Sequence, residues 1–144
     1  MMGSDFPPGI RPYHASDAEK VAAVYHAAIH TLAAPFYTPA QLEAWAPAQI
    51  DLTKFNERML EYTTCVAAID DIIAAFISWR RDGYIFMLFT HPDFARRGLA
   101  SALCERAEQA FRASNLGRTF TEASLAARPF FERRDFTIER EEVV

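Results

Sequence analysis

Residues 84–117 read Y-I-F-M-L-F-T-H-P-D-F-A-R-R-G-L-A-S-A-L-C-E-R-A-E-Q-A-F-R-A-S-N-L-G, and this stretch constrains the fold more tightly than the rest of the chain. Its opening run, Tyr84 to Thr90, is aromatic, apolar or β-branched, as a buried strand requires. A loop carrying Arg96 and Arg97 and ending at Gly98 follows, after which Leu99, Leu103, Ala107, Ala110 and Phe111 recur at helical spacing. A strand feeding a helix through a basic, glycine-bearing loop builds an anion site. The first helical amides have no intrahelical partner, the helix dipole places roughly half a positive charge there, and Gly98 lets an anion approach backbone that a side chain would shield. The same pattern also serves as plain solvated surface. It is not the P-loop of nucleotide triphosphatases, because no Gly-Lys-Ser/Thr ending is present.

With 144 residues the chain buries an adequate core as one domain, 1–144, without disulfides or metal. Its two cysteines, Cys65 in an expected strand and Cys104 in an expected helix, suit reduced thiols rather than a framework or a zinc site. A net charge of −4 gives no electrostatic footprint for nucleic acid. No apolar run reaches membrane-spanning length, and the N-terminus M-M-G-S-D-F-P-P-G lacks the basic and apolar regions of a signal peptide. The expectation is a cytoplasmic protein with no membrane or nucleic-acid partner.

In chain order, residues 9–13 predict a short strand. Ser16-Asp17-Ala18-Glu19 has the form of a capping box and predicts a helix starting near Asp17, with Val21, Val24, Tyr25, Ala28, Ile29 and Leu32 on its buried side and Pro35 beyond its end. His26 and His30 are spaced to share a metal, but no third ligand stands at a useful spacing, so no metal is expected. Thr38-Pro39-Ala40-Gln41 opens a second, short helix that stops at Pro47, and a third runs from near Asp51 to about Glu61. Residues 63–69 and 72–79 predict a hairpin turning on Asp70-Asp71, and 84–90 continues it as an antiparallel meander. A fifth strand over 118–121 follows the long helix and runs parallel to the fourth. Ser124 caps a short helix that carries Pro129 in its first turn, and 136–143 alternates as a last strand.

The run H-P-D-F-A-R-R-G-L-A-S-A-L resembles the coenzyme A-binding segment of the GNAT superfamily of acyl-CoA N-acyltransferases, whose pattern is Gln or Arg, two residues, Gly, one residue, Gly or Ala. Gly98 and Ala100 fit; Ala95 stands at the Gln/Arg position. Phe36-Tyr37-Thr38-Pro39-Ala40-Gln41-Leu42-Glu43-Ala44-Trp45-Ala46-Pro47 is similar to the Tyr-Ser/Thr-x-x-Gln-Leu-x-x-Trp-x-Pro segment of a bacterial GNAT subgroup. The resemblance implies an α+β fold: a mixed, mainly antiparallel central sheet with helices on both faces. It also implies an acetyl-CoA-dependent N-acetyltransferase acting on a small-molecule or peptide amine.

Carried onto this chain, the resemblance places the pantetheine arm between splayed fourth and fifth strands, on the backbone of Leu88, Phe89 and Thr90. The diphosphate falls on the amides of Arg96, Arg97, Gly98, Leu99, Ala100 and Ser101. Ser124 and Phe131 stand where the family's last helix carries Asn and a thiolate-protonating Tyr, Arg128 reaches the coenzyme phosphates or solvent, and Tyr37 and Trp45 belong to the acceptor wall or to core packing. Two more positions depart from the pattern: Phe86 stands where an acidic residue is frequent, and Asp135 replaces a glycine. Glu122, at the end of the fifth strand, is the candidate base, or a charge favoured by a helix start, and His30 is a second candidate. A non-catalytic acyl-CoA-binding module is the alternative, motivated by Phe86 and Phe131. The family usually ends with a further strand after a segment like 136–144, so a homodimer through the C-terminal strand is expected.

Overall fold

The computed structural model describes residues 9–137. Its strands are Ile10–Pro12 (β1), Thr63–Ile69 (β2), Ile72–Trp79 (β3), Tyr84–Thr90 (β4) and Phe120–Thr121 (β5), and its helices are Ala18–Leu32 (α1), Pro39–Trp45 (α2), Leu52–Glu61 (α3), Leu99–Ala113 (α4) and Arg128–Arg133 (α5). The strands form one sheet in the order β1-β2-β3-β4-β5. It is antiparallel from β1 to β4 and parallel between β4 and β5. This is the α+β architecture expected from the sequence. The hairpin turns as its residues demand: Asp70 and Asp71 both take positive φ, 51° and 66°, the geometry of a tight turn whose twist matches its strands.

Alternation along the strands distributes the core over both faces. One face of β2–β4 presents Cys65, Ile77, Trp79 and Ile85 to Leu103, Cys104, Ala107 and Phe111 of α4 and to Phe131 of α5. The other presents Val66, Ile73 and Phe76 to Val21 and Val24 of α1 and Phe55 and Met59 of α3. Phe76, Ile77 and Leu103 are fully buried, and each contributes about 1.5–3 kcal/mol relative to exposure. Between β2 and β3 the core also holds a polar pair, since the Thr64 hydroxyl lies 2.8 Å from that of Ser78 and donates to the Met59 carbonyl at 2.8 Å.

The start of α1 differs from the expected capping box. A 3-10 turn over Ala15–Asp17 precedes the helix, and Asp17, not Ser16, is the organising residue. Its carboxylate accepts two hydrogen bonds from Arg11, at 2.8 and 3.0 Å, and one from the His14 N–H at 2.9 Å. The Arg11 hydrogen bonds hold the Asp17 carboxyl below its usual range. Asp17→Asn should therefore cost about 1–2 kcal/mol at neutral pH, discounted because Arg11 is partly exposed. A folded-state pKa below the unfolded value stabilises above pH ~4 and ceases to do so as pH falls through the folded value. Urea unfolding of both proteins from pH 7 to pH 3 should thus show the difference shrinking with acid; a pH-independent difference would rule the ion pair out.

Two further boundaries moved. β5 is shorter than residues 118–121, because only its last two residues meet β4. Ser124 Oγ accepts the Ala127 N–H at 3.1 Å in the turn before α5, and the helix itself begins at Arg128 with Pro129 in its first turn, where its missing N–H costs nothing. The expected last strand, and with it the homodimer argument, falls largely on residues 138–144, outside the described residues.

Candidate active site

The site begins with an interruption in β4. Ser78 pairs with Met87 and Trp79 with Ile85, so Phe86 is an extra residue, a β-bulge that bends the strand and re-aims its side chains. On the opposite edge β5 pairs only with Tyr84 and Ile85. Thr121 then spends its hydroxyl on the Ile85 carbonyl at 2.8 Å, closing the ladder. Beyond this point β4 and β5 part, and the β4 backbone from Phe86 to Thr90 has no β5 partner. A row of main-chain donors and acceptors facing a gap accepts an extended ligand as it would another strand.

At one end of that gap stands the start of α4. Gly98 is its N-cap, at φ 80° and ψ 9°, and Arg96 beside it also takes positive φ, 65°. The first intrahelical hydrogen bond runs from Ala102 to the Gly98 carbonyl, so the amides of Leu99, Ala100 and Ser101 project outward without helical partners. A Cβ built on Gly98 would meet nothing within 4 Å, which leaves open space over those amides. Arg96 and Arg97 are exposed, with the Arg97 guanidinium 5.3 Å from the centre of the Phe94 ring. Unpaired amides, a dipole and two mobile cations fit a diphosphate.

Two hollows meet along β4. An apolar one of about 170 Å3 is bordered by Leu88, Phe89, Thr90, Ala100, Ser124 and Phe131. The other, about 280 Å3, is bordered by Tyr25, Trp45, Arg58, Phe86 and Glu122 among others. Trp45, Leu88, Phe89, Ser124 and Phe131 line both, so the two make one cleft through the splay. The first hollow reaches the start of α4 at Ala100; the second carries the titratable groups.

Glu122 sits at the edge of the second hollow, where its Oε1 accepts a hydrogen bond from the Tyr84 hydroxyl at 3.0 Å. Burial, with the Glu122 hydrogen bond adding to it, pushes the Tyr84 phenol up to about 12, so it remains a donor at neutral pH. The Arg80 guanidinium lies 4.6 Å from the centre of the same ring. Tyr25 donates to the Trp45 carbonyl at 2.9 Å, which fixes α2 against α1 and sets the Trp45 ring in the cleft wall. Tyr84, Tyr25 and Arg58 escaped the sequence reading: they lie far apart in the chain, and only the β4–β5 register and the packing of α1 and α3 bring them together.

The remaining sequence candidates separate. His30 does not border either hollow; its ring lies against His26, 4.1 Å between centroids, and its Nε2–H donates to the Ala46 carbonyl at 2.6 Å. No group of three potential metal ligands occurs among the described residues. Tyr37 is also outside the lining. Its hydroxyl accepts the Leu125 N–H at 2.9 Å and its ring meets Trp45 edge-on, so it braces the turn carrying Ser124. Arg128 lies 3.7 Å from Glu132, one helical turn on. Phe131, 5% exposed, puts an apolar ring where the family resemblance would put a phenol. Asp135, in the glycine position, adopts φ 69°, so the left-handed backbone is kept without glycine.

Comparison with known proteins agrees with this fold. The acetyltransferase (GNAT) domain family matches residues 33–144. The uncharacterized N-acetyltransferase YafP of Escherichia coli K12 is 36% identical over 135 residues, covering 93% of this chain and 85% of that protein. A GCN5-related N-acetyltransferase structure from Rhodopseudomonas palustris superposes with a TM-score of 0.85 at 33% identity, over 93% of this chain and 83% of that one. The PaiA N-acetyltransferase of Thermoplasma acidophilum, solved with coenzyme A, shares the fold at a TM-score of 0.80 and 15% identity, over 92% and 91% of the two chains. On its sequence, its sheet and its splayed fourth strand, the chain belongs to the GNAT family of acetyltransferases.

Proposed function

We propose that the protein transfers the acetyl group of acetyl-CoA to a small amine by direct attack on the thioester. The observation that carries this reading is the convergence of three features on one cleft: unpaired β4 backbone, free α4 amides and the Glu122 carboxylate. In this reading the amides from Arg96 to Ser101 hold the diphosphate, and the backbone of Leu88, Phe89 and Thr90 holds the pantetheine arm. The thioester then lies by Leu88, whose N–H donates to the developing oxyanion. The acceptor enters the second hollow. An alkyl ammonium has a pKa of about 10.4, so its lone pair must be released, and Glu122 takes that proton directly or through one water. The amine nitrogen bonds to the carbonyl carbon and gives up a second proton to solvent, the C–S bond breaks, and the sulfur leaves as thiolate. A thiol pKa of about 8.5 lets the thiolate depart near neutral pH and take its proton from solvent, so Phe131 in place of a phenol slows the step without stopping it.

Release of free thiol from acetyl-CoA, followed with a panel of amines, tests the reading. Amine-dependent release is the expected result. Calorimetric binding of acetyl-CoA with no turnover for any amine would favour the acyl-CoA-binding module instead, and absence of binding would sink both.

A further inference from the structure

The second hollow holds a charge arrangement that acetyl transfer alone does not require. Of the residues lining it, two are charged: Arg58, from α3, and Glu122, from the end of β5. Both are exposed, and no ion pair joins them. Glu122 is turned to the Tyr84 hydroxyl, and the Arg58 guanidinium lies 5.6 Å from the centre of the Phe86 ring. Among the described residues Arg58 has no carboxylate within ion-pair distance. Phe86, beneath Arg58, lines the same hollow and stacks on Tyr62 at 4.4 Å and 16°. Nor does Arg58 belong to the coenzyme end of the cleft, because Thr90 and Ala100 border the other hollow.

A cation and an anion that line one largely apolar hollow without pairing complement a ligand that carries the reverse charges on an apolar body. Resting on the transferase reading above, we propose that the acceptor is an apolar α-amino acid: its amine lies at Glu122, its carboxylate at Arg58, and its side chain against Phe86, Met87 and Trp45. Arginine suits the task, since its planar fork binds a carboxylate through two parallel hydrogen bonds and its face rests on an aromatic ring. The arrangement also orients the substrate. Anchoring the carboxylate at α3 directs the amine toward the splay, where the thioester carbonyl lies, and such positioning acts on rate as well as affinity.

The test compares kcat/KM for acetylation of L-phenylalanine, L-phenylalaninamide and phenethylamine by the wild type and by Arg58→Gln and Arg58→Lys. Amine basicity differs among the three substrates, but it cancels when the ratio of kcat/KM for phenylalanine to that for each uncharged analogue is compared between proteins. Arg58→Gln should lower both ratios at least about tenfold, a loss of about 1.4 kcal/mol, and Arg58→Lys should retain part of the preference. Added salt should reduce it in the wild type, because Arg58 is exposed. Ratios unmoved by Arg58→Gln, or acetylation of other amines with phenylalanine left untouched, would overturn the inference while leaving the transferase reading standing. No thiol release with any amine would instead overturn the transferase reading itself, and this inference with it.

Discussion

Gly98→Glu should weaken acetyl-CoA binding by at least about 100-fold, because it sets a carboxylate where the diphosphate is expected and like charges in a shared site cost several kcal/mol. The fold should survive. The Cβ position at Gly98 is open, with nothing within 4 Å, so no core contact is disturbed. The residue does sit at φ 80°, and a left-handed conformation costs an L-residue roughly 1–2 kcal/mol. Gly98→Ala separates the two effects, since it carries the same backbone cost without the charge and should bind within a few-fold of wild type. Isothermal calorimetry measures all three proteins, and wild-type affinity in Gly98→Glu would move the phosphate site elsewhere. Arg96 and Arg97 should each matter less. Exposed ion pairs are worth about 0–1 kcal/mol and are screened by salt.

Glu122→Gln should lower kcat/KM by about 100-fold or more at pH 7, the usual contribution of a positioned base, while acetyl-CoA affinity stays within about twofold. Glutamine is isosteric and keeps an oxygen to accept the Tyr84 hydrogen bond, so the cleft should hold its shape. The pH dependence identifies the role. As pH rises toward the amine pKa, about 10.4 for an alkyl ammonium, more acceptor is already unprotonated, so the deficit of the variant should narrow steadily above pH 8. A variant within twofold of wild type from pH 6 to 9 would remove Glu122 from the mechanism and leave desolvation of the amine as its source of free base. His30 is poorly placed to take over, with its Nε2–H given to the Ala46 carbonyl.

Local chemistry made much of the architecture legible. β2, β3 and β4 begin and end where their apolar runs do, because Asp70-Asp71 and the turn ending at Gly83 interrupt them with residues that tolerate positive φ. α2 begins where Thr38 and Gln41 exchange hydrogen bonds of 3.1 and 2.8 Å, a capping box spelled out in four consecutive residues. α1 was less legible. Arg11 and Asp17 lie six positions apart, and their bidentate pair depends on the path of β1 rather than on helical spacing.

The candidate site divides the same way. The sequence by itself determined the half proposed to bind the diphosphate: a strand, a basic loop, Gly98 at left-handed φ and the free first amides of α4 are all consequences of neighbouring residues. It determined the family as well, through two contiguous runs. Only the tertiary structure decided the half proposed for the acceptor. The Phe86 bulge arises from the register between β3 and β4, and the splay arises because β5 meets β4 for two residues and Thr121 then closes the ladder. Through that splay Glu122 reaches Tyr84, while α3 brings Arg58 to Phe86. Tyr37 and His30 went the other way, drawn by the Leu125 amide and the Ala46 carbonyl into bracing roles. The physical reason is range. Caps, turns and helix amides are satisfied within a few residues of where they are encoded, whereas a cleft between strands depends on pairings that no local spacing records.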